Sequence, residues 1–200
     1  MDHENIRTLK LLEEIEKGHV PSQRELAKKL NISLGLVNSF IKRLAAKGYL
    51  KLRTVPKNRI KYILTPAGAA EKTRLSCKYI QYSFRFYKEA RQILKKIFSD
   101  FKAEGNRRVI FYGAGDFAEI AYLSLKESGI HLVTVADELK TGEKFLGIKI
   151  VDPVNIDSFV FDKILITAIE SRDTALEKIL ISGIPNSKVI IPDYRRGSRF

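Results

Sequence analysis

The run Ser22-Gln23-Arg24-Glu25-Leu26-Ala27-Lys28-Lys29-Leu30-Asn31-Ile32-Ser33-Leu34-Gly35-Leu36-Val37-Asn38 carries two helix starts in quick succession. Ser22 and Glu25 make an S-x-x-E capping box, in which each side chain satisfies a free amide of the first turn. Leu26, Ala27 and Leu30 give that helix an inner face. Asn31 to Ser33 form a short turn, and Leu34 to Lys47 form the next helix, with Leu36, Val37, Phe40, Ile41 and Leu44 inward. Two short helices joined this tightly are a helix-turn-helix. Upstream, Ile6, Leu9, Leu11, Leu12 and Ile15 recur at helical spacing, Gly18 ends that helix, and Pro21 opens the next. Downstream of Gly48 the period changes from helical to alternating. Tyr49 to Val55, a turn at Pro56 to Arg59, and Ile60 to Leu64 read as a hairpin with a basic tip, the wing of a winged helix.

The charge agrees with that placement. The 200 residues hold 36 Lys and Arg against 23 Asp and Glu, a net charge of +13. Through Arg108 there are 25 basic and 10 acidic residues, or +15, and the remainder has 11 against 13, or −2. A basic half joined to a neutral half fits a polyanion-binding domain fused to another module, although lysines also serve simply to keep a helical domain in solution. With 44% hydrophobic residues, 12 Gly and 6 Pro, the chain is neither disordered nor collagen-like. No apolar run approaches the ~20 residues of a membrane helix. Nothing in Met1 to Lys10 has the apolar core of an export signal. The single Cys77 and the scattered His3, His19 and His131 suggest neither a disulfide nor a metal site. A soluble, cytoplasmic protein without a membrane partner is expected.

Ser22 to Ala27, Asn31 to Asn38, Lys47-Gly48-Tyr49-Leu50 and Leu64-Thr65-Pro66-Ala67-Gly68, in this order, resemble the winged-helix regulators of the MarR type, especially the small ones associated with exopolysaccharide gene clusters. The resemblance covers about the first hundred residues and implies double-stranded DNA as partner. Related arrangements also serve as protein-interaction modules. A third helix entering the major groove presents Ser33, Gly35, Asn38, Ser39 and Lys42 to bases and phosphates. Asn38 is the base-reading candidate, because an amide both donates to and accepts from adenine. Gly35 allows close backbone approach. Arg53, Lys57, Arg59 and Lys61 on the wing, with Lys42 and Arg43 on the helix, supply phosphate contacts that set register without reading sequence.

From Pro66 to about Lys102 there is no interior proline, and Leu75, Tyr79, Tyr82, Phe86, Ala90, Ile93, Ile97 and Phe101 recur every three or four residues. A helix of ~35 residues is about 50 Å long, more than one small domain covers. Part of its aromatic stripe is therefore expected to pair with a second subunit in a homodimer, unless it packs only on the chain's own domains.

After Gly105 and Asn106 strands alternate with helices. Arg108 to Tyr112 leads into Gly113-Ala114-Gly115-Asp116-Phe117-Ala118, a G-x-G-x-x-A turn between a strand and a helix. A second strand, Leu132 to Ala136, ends at Asp137, 22 residues beyond Gly115, where an acid can bind ribose hydroxyls. Gly113 to Ala118 and Asp137 are thus the candidate cofactor-binding residues. The same turn also serves merely to pack a helix on a sheet. Strands at Ile148 to Val151, Ile164 to Thr167 and Val189 to Ile191 complete an open parallel sheet of five strands with helices on both faces. Phe111 to Gly115, Asp137, Gly142 to Ile150, Ile164 to Ala168 and Gly183-Ile184-Pro185 resemble the Rossmann-like domains at the start of nucleotide-sugar dehydratases and sugar acyltransferases. That resemblance covers about 90 residues and implies NAD(H) or a nucleotide sugar as ligand. The order winged helix, then Rossmann-like domain also resembles the Rex redox regulators, from which this chain departs in its long joining helix and in having no swapping helix after the last strand.

The expected organisation is therefore a winged-helix DNA-binding domain over residues 1–66, a connecting and dimerising helix over 67–104, and a Rossmann-like nucleotide-binding domain over 105–200. The expected function is transcription regulation in response to a nucleotide-containing metabolite, and no catalytic or metal-binding residue is assigned. Asp116, Glu119 and Glu170 are scattered acids of the kind that form a solvated rim. The alternatives are a small NAD- or nucleotide-sugar-dependent enzyme with its own DNA-binding domain, and a regulator whose Rossmann-like half is purely structural.

Overall fold

Asp2 caps the first helix, α1 (His3–Glu16), by accepting from the Asn5 N–H at 2.7 Å. Helix α2 (Gln23–Leu30) opens on the capping box read from the sequence: Ser22 Oγ accepts from Glu25 N at 3.2 Å, and Glu25 Oε2 accepts from Ser22 N at 2.6 Å. Helix α3 (Leu34–Ala46) and the antiparallel strands β1 (Leu50–Val55) and β2 (Arg59–Leu64) follow. The long helix α4 (Pro66–Ala103) comes next. The computed structural model describes residues 1–17, 22–55 and 59–193. The expected stops and starts at Gly18 and Pro21, the wing tip at Pro56 to Asn58, and Lys57 with it, lie outside the described residues.

The chain divides into two units, Met1–Phe84 and Arg85–Phe200, with the division falling inside α4. In the first, Leu11 and Leu12 of α1, Leu26 of α2, Val37, Ile41 and Leu44 of α3, Leu50 of β1 and Leu75 of α4 form one core, each less than about 4% exposed. Full burial of such a side chain contributes about 1.5–3 kcal/mol. The start of α4 is pressed close to the hairpin. Thr65 Oγ1 donates to Gly48 O at 2.7 Å and accepts from Gly68 N at 3.0 Å, and a Cβ on Gly68 would lie 2.1 Å from Tyr49 O.

In the second unit a six-stranded sheet has the order β5-β6-β4-β3-β7-β8. Its strands are β3 (Arg108–Tyr112), β4 (His131–Ala136), β5 (Lys144–Phe145), β6 (Ile148–Val151), β7 (Lys163–Ile166) and β8 (Val189–Ile190). All pairings are parallel except β5 with β6. Strand β3 is central and apolar on both sides, as a strand covered on both faces must be. Its Val109 and Phe111 meet α5 (Asp116–Lys126) and Ala90, Leu94 and Phe98 of α4. Its Ile110 and Tyr112 meet Ala175 and Ile179 of α6 (Arg172–Ile181) and Ile156 of a 3₁₀ turn, Pro153–Ser158, capped by Asp152.

Two details differ from the sequence expectation. The edge strand β5 is additional to the five expected: two residues are too few to show alternation, and the turn to β6 is Leu146-Gly147, both at positive φ (48° and 88°), without the Asn-Gly that flags such hairpins. On α4 the stripe is shifted in phase. Ala90, Leu94, Phe98 and Phe101 are buried, whereas Ile93 and Ile97 are half-buried flanks one position away, about 100° round the helix.

Candidate DNA interface and ligand cleft

The turn before α3 is built by backbone geometry. Asn31 sits in the left-handed region (φ 51°), which asparagine tolerates, and its N–H reaches Lys28 O at 3.3 Å. Ile32 N then closes on Ala27 O at 3.0 Å, and Ser33 Oγ caps α3 by accepting from Leu36 N at 3.2 Å. Val37, Phe40, Ile41 and Leu44 anchor the inner face of α3. That leaves Ser33, Gly35, Ser39 and Lys42 exposed and Asn38 half-buried at the boundary. Among the described residues Lys42 makes no ion pair and the Asn38 amide no hydrogen bond. Arg43 is placed differently. Its Nη1 lies 2.6 Å from Glu4 Oε1 and its guanidinium stacks 4.6 Å above the Phe40 ring, so it ties α3 to α1.

Gly35 occupies an open place: a Cβ there would meet nothing within 4 Å, and its φ is not in the left-handed region. The fold makes no demand for glycine at this position. On the wing, Leu50 and Tyr62 face the core, and by strand alternation Lys51, Arg53 and Lys61 share the other face. Arg53 and Lys61 are direct cross-strand partners and both are exposed. Like charges placed opposite one another destabilise a hairpin, and a polyanion on that face relieves the repulsion. Arg59 is the first residue of β2 and pairs with Val55.

In the second unit the glycine turn lies at the C-terminal end of β3, beside the end of β7. Gly113, at φ 109°, packs against Ala168: a Cβ would lie 2.6 Å from Ala168 N and 2.7 Å from Ala168 Cβ. Thr167 Oγ1 donates to Gly113 O at 2.6 Å and to Tyr112 O at 3.0 Å. The first glycine is therefore required by the protein's own packing. Gly115, the N-cap of α5, has open space around its Cβ position and an extended φ of −94°. Phe117 and Ala118 are buried against the sheet, and Ala118 N donates to Gly115 O at 2.9 Å. Their side chains are core, while Asp116 is exposed at the turn.

Asp137 stands at the end of β4, as expected of a ribose-binding acid, but its carboxylate is already engaged. Oδ2 accepts from Ala114 N at 2.8 Å and Oδ1 from Leu139 N at 2.9 Å. Lys140 Nζ donates to Ala114 O at 2.7 Å, so the glycine turn and the loop after β4 are laced together. Between this loop and α6 is a cleft of about 250 Å³, lined by Tyr112, Gly113, Asp137, Glu138, Ala168, Ser171, Thr174 and Lys178 among others. The sequence does not mark Tyr112 as a site residue, because nothing in an apolar strand singles out one aromatic as carrying an unmet hydroxyl. Burial above all, helped by the negative charges of Glu138, Asp137 and Asp152, pushes the Tyr112 phenol above its ordinary pKa. Glu119 and Glu170 are exposed. No group of three or more potential metal ligands occurs among the described residues, and none of their helices is long and apolar enough to cross a membrane.

Comparison with known proteins finds one family match within each of the two units. Residues 4–51 match the winged helix-turn-helix DNA-binding family, and residues 105–190 match the C2185-like N-terminal family. No curated protein gives a significant match. Among solved structures the chain is similar to RSP, a Rex-family repressor, with 16% identity, 99% of this chain and 90% of that chain covered, and a TM-score of 0.36. It is also similar to PigF with SAH, with 16% identity, 81% of this chain and 63% of that chain covered, and a TM-score of 0.27. The N-terminal unit is a winged helix-turn-helix DNA-binding domain, and the chain continues through a long helix into a mostly parallel six-stranded α/β sheet.

Proposed function

We propose that this chain is a transcription regulator of the MarR type which binds double-stranded DNA as a homodimer and senses a nucleotide-containing metabolite, without catalysing a reaction. The observation that carries the DNA half is the outer face of α3, where Ser33, Gly35, Ser39 and Lys42 stand exposed with Asn38 beside them. Helices of this kind read base edges in the major groove with such residues while the wing contacts phosphates. The ligand, NAD(H) or a nucleotide sugar, is seated at the C-terminal ends of β3, β4 and β7, where the order of the strands reverses and ligands of open α/β sheets collect. The glycine turn and Asp137 support that placement. The homodimer rests on α4, which leaves Ile80, Phe84 and Tyr87 exposed at i, i+4 and i+7, an apolar seam suited to a second copy of the same helix. By resemblance, the regulated genes belong to polysaccharide or cell-surface clusters.

The test is DNA binding by fluorescence anisotropy, with and without NAD, NADH and UDP-glucose. A sensing ligand changes DNA affinity, and by linkage DNA changes ligand affinity by the same factor. A ligand that binds the protein and leaves its DNA affinity untouched refutes the coupling. Sedimentation as a monomer at micromolar concentration refutes the dimer.

A further inference from the structure

The Tyr112 hydroxyl is the one buried side-chain nitrogen or oxygen among the described residues that has no hydrogen-bond partner. The residue closes β3, is 7% exposed, and lines the cleft between the loop after β4 and α6. Native interiors rarely leave a buried polar group unmet. A phenylalanine would fill nearly the same space without that cost, so the hydroxyl requires a role.

The surroundings state what would satisfy it. Burial and the nearby carboxylates keep the phenol protonated, so it offers a donor. An anion is not its partner: Lys178 is held by Glu138, at 2.6 and 2.7 Å to the two carboxylate oxygens, and Asp137 adds a further negative charge to the lining. The lining thus has no unpaired lysine or arginine to hold a phosphate. Asp137 accepts one backbone N–H on each oxygen, and a carboxylate has about four acceptor positions, so it can still accept from hydroxyl or amino groups. The volume, about 250 Å³, lies below the ~300–1,000 Å³ of whole small-molecule sites. It suits one end of a larger ligand.

We propose that this cleft seats the uncharged nucleoside end of the ligand, with the Tyr112 hydroxyl donating to an acceptor atom of that group, Asp137 accepting from its hydroxyls, and the phosphates remaining outside. This rests on the C-terminal unit being a nucleotide sensor; it adds which end enters the cleft and which residue selects it.

The experiment titrates the full chain by calorimetry with adenosine, guanosine, cytidine, uridine and inorganic pyrophosphate, then with NAD, NADH and UDP-glucose. At least one nucleoside binds, and pyrophosphate does not displace it. Tyr112→Phe without ligand melts a few degrees higher, because it loses only an unmet hydroxyl, and binds the same nucleoside about five- to tenfold more weakly. Thr174→Trp, which fills the cleft from an exposed position on α6, removes nucleoside binding. Displacement by pyrophosphate, or nucleoside and nucleotide binding undiminished in both variants, overturns the placement while the sensor stands. If none of the nucleosides or nucleotides binds, the sensor itself falls, and this proposal with it.

Discussion

Replacing Gly35 with alanine separates what the fold needs from what DNA needs. The position lies in the first turn of α3 with ordinary backbone geometry, and a methyl group there meets nothing within 4 Å. Glycine in a helix costs roughly 0.5–1 kcal/mol relative to alanine through its extra freedom in the unfolded chain. Gly35→Ala is therefore expected to stabilise the protein by that amount. In a domain the size of the Met1–Phe84 unit this corresponds to a rise of about 2–6 °C in Tm. On DNA the sign reverses. If the glycine lets the phosphate backbone or a base edge come up to the main chain, the methyl group pushes it away. Loss of one hydrogen bond to a charged group, about 1.5–3 kcal/mol, weakens Kd by about ten- to a hundredfold. The assay pairs thermal unfolding with anisotropy on a duplex selected by the wild-type protein from a random pool. A variant that is more stable and binds that duplex as tightly as wild type refutes the close approach, and a variant that is less stable refutes the open position.

The remaining outcomes follow from the same geometry. Asn38→Ala is expected to change which duplexes are selected with little change in salt slope. Arg53→Ala is expected to weaken all duplexes alike and reduce the slope of log K against log salt by about 0.9; equal, salt-independent losses from both would remove the division of labour between α3 and the wing. Gly113→Ala forces a Cβ to 2.6 Å from Ala168 N at a φ of 109° and is expected to destabilise the protein by about 2–4 kcal/mol in chemical denaturation, whereas Gly115→Ala stays within about 0.5 kcal/mol of wild type. Asp162 accepts from Arg107 N, Arg108 N and the Arg108 guanidinium, which lowers its pKa to about 2. A depressed carboxylate stabilises the fold above its unfolded pKa near 3.8 and stops doing so as pH falls through about 2. Asp162→Asn should therefore cost about 1 kcal/mol at neutral pH, after allowance for solvent screening, and the gap to wild type should shrink between pH 4 and pH 2. A gap independent of pH would show that the carboxylate's charge is not the cause.

Local signals were the ones legible in the sequence. The Ser22 and Glu25 pair, the Ser33 cap and the change of period after Gly48 each act within a few residues, and each appears in the structure where the spacing puts it. What depends on contacts distant in the chain was not legible. The phase of the stripe on α4 is set by the sheet it packs on, so Leu94 and Phe98 are central and Ile93 and Ile97 are not. The contact of Arg43 with Glu4 joins residues of α3 and α1 that no local spacing brings together. The pattern G-x-G-x-x-A treats its two glycines alike, yet Gly113 is pinned by Ala168 and Gly115 faces open space. Only the identity of the atoms beside each missing Cβ distinguishes a glycine kept for packing from one whose position remains available to a ligand.

That distinction bears on how a nucleotide would be recognised. At the glycine turn Ala114 N is already held by the Asp137 carboxylate, so a phosphate that used this amide would only exchange one charge-assisted hydrogen bond for another of similar strength. That amide therefore adds little discrimination among phosphorylated ligands. The Tyr112 hydroxyl has no competing partner among the described residues. A ligand atom that accepts from it gains a hydrogen bond without breaking one, and removes a desolvation cost that the protein otherwise bears. Selectivity should accordingly lie on the α6 side of the sheet, with the non-phosphate part of the ligand, and variation at Tyr112 should change which nucleotide is sensed more than variation at Gly115 or Asp116.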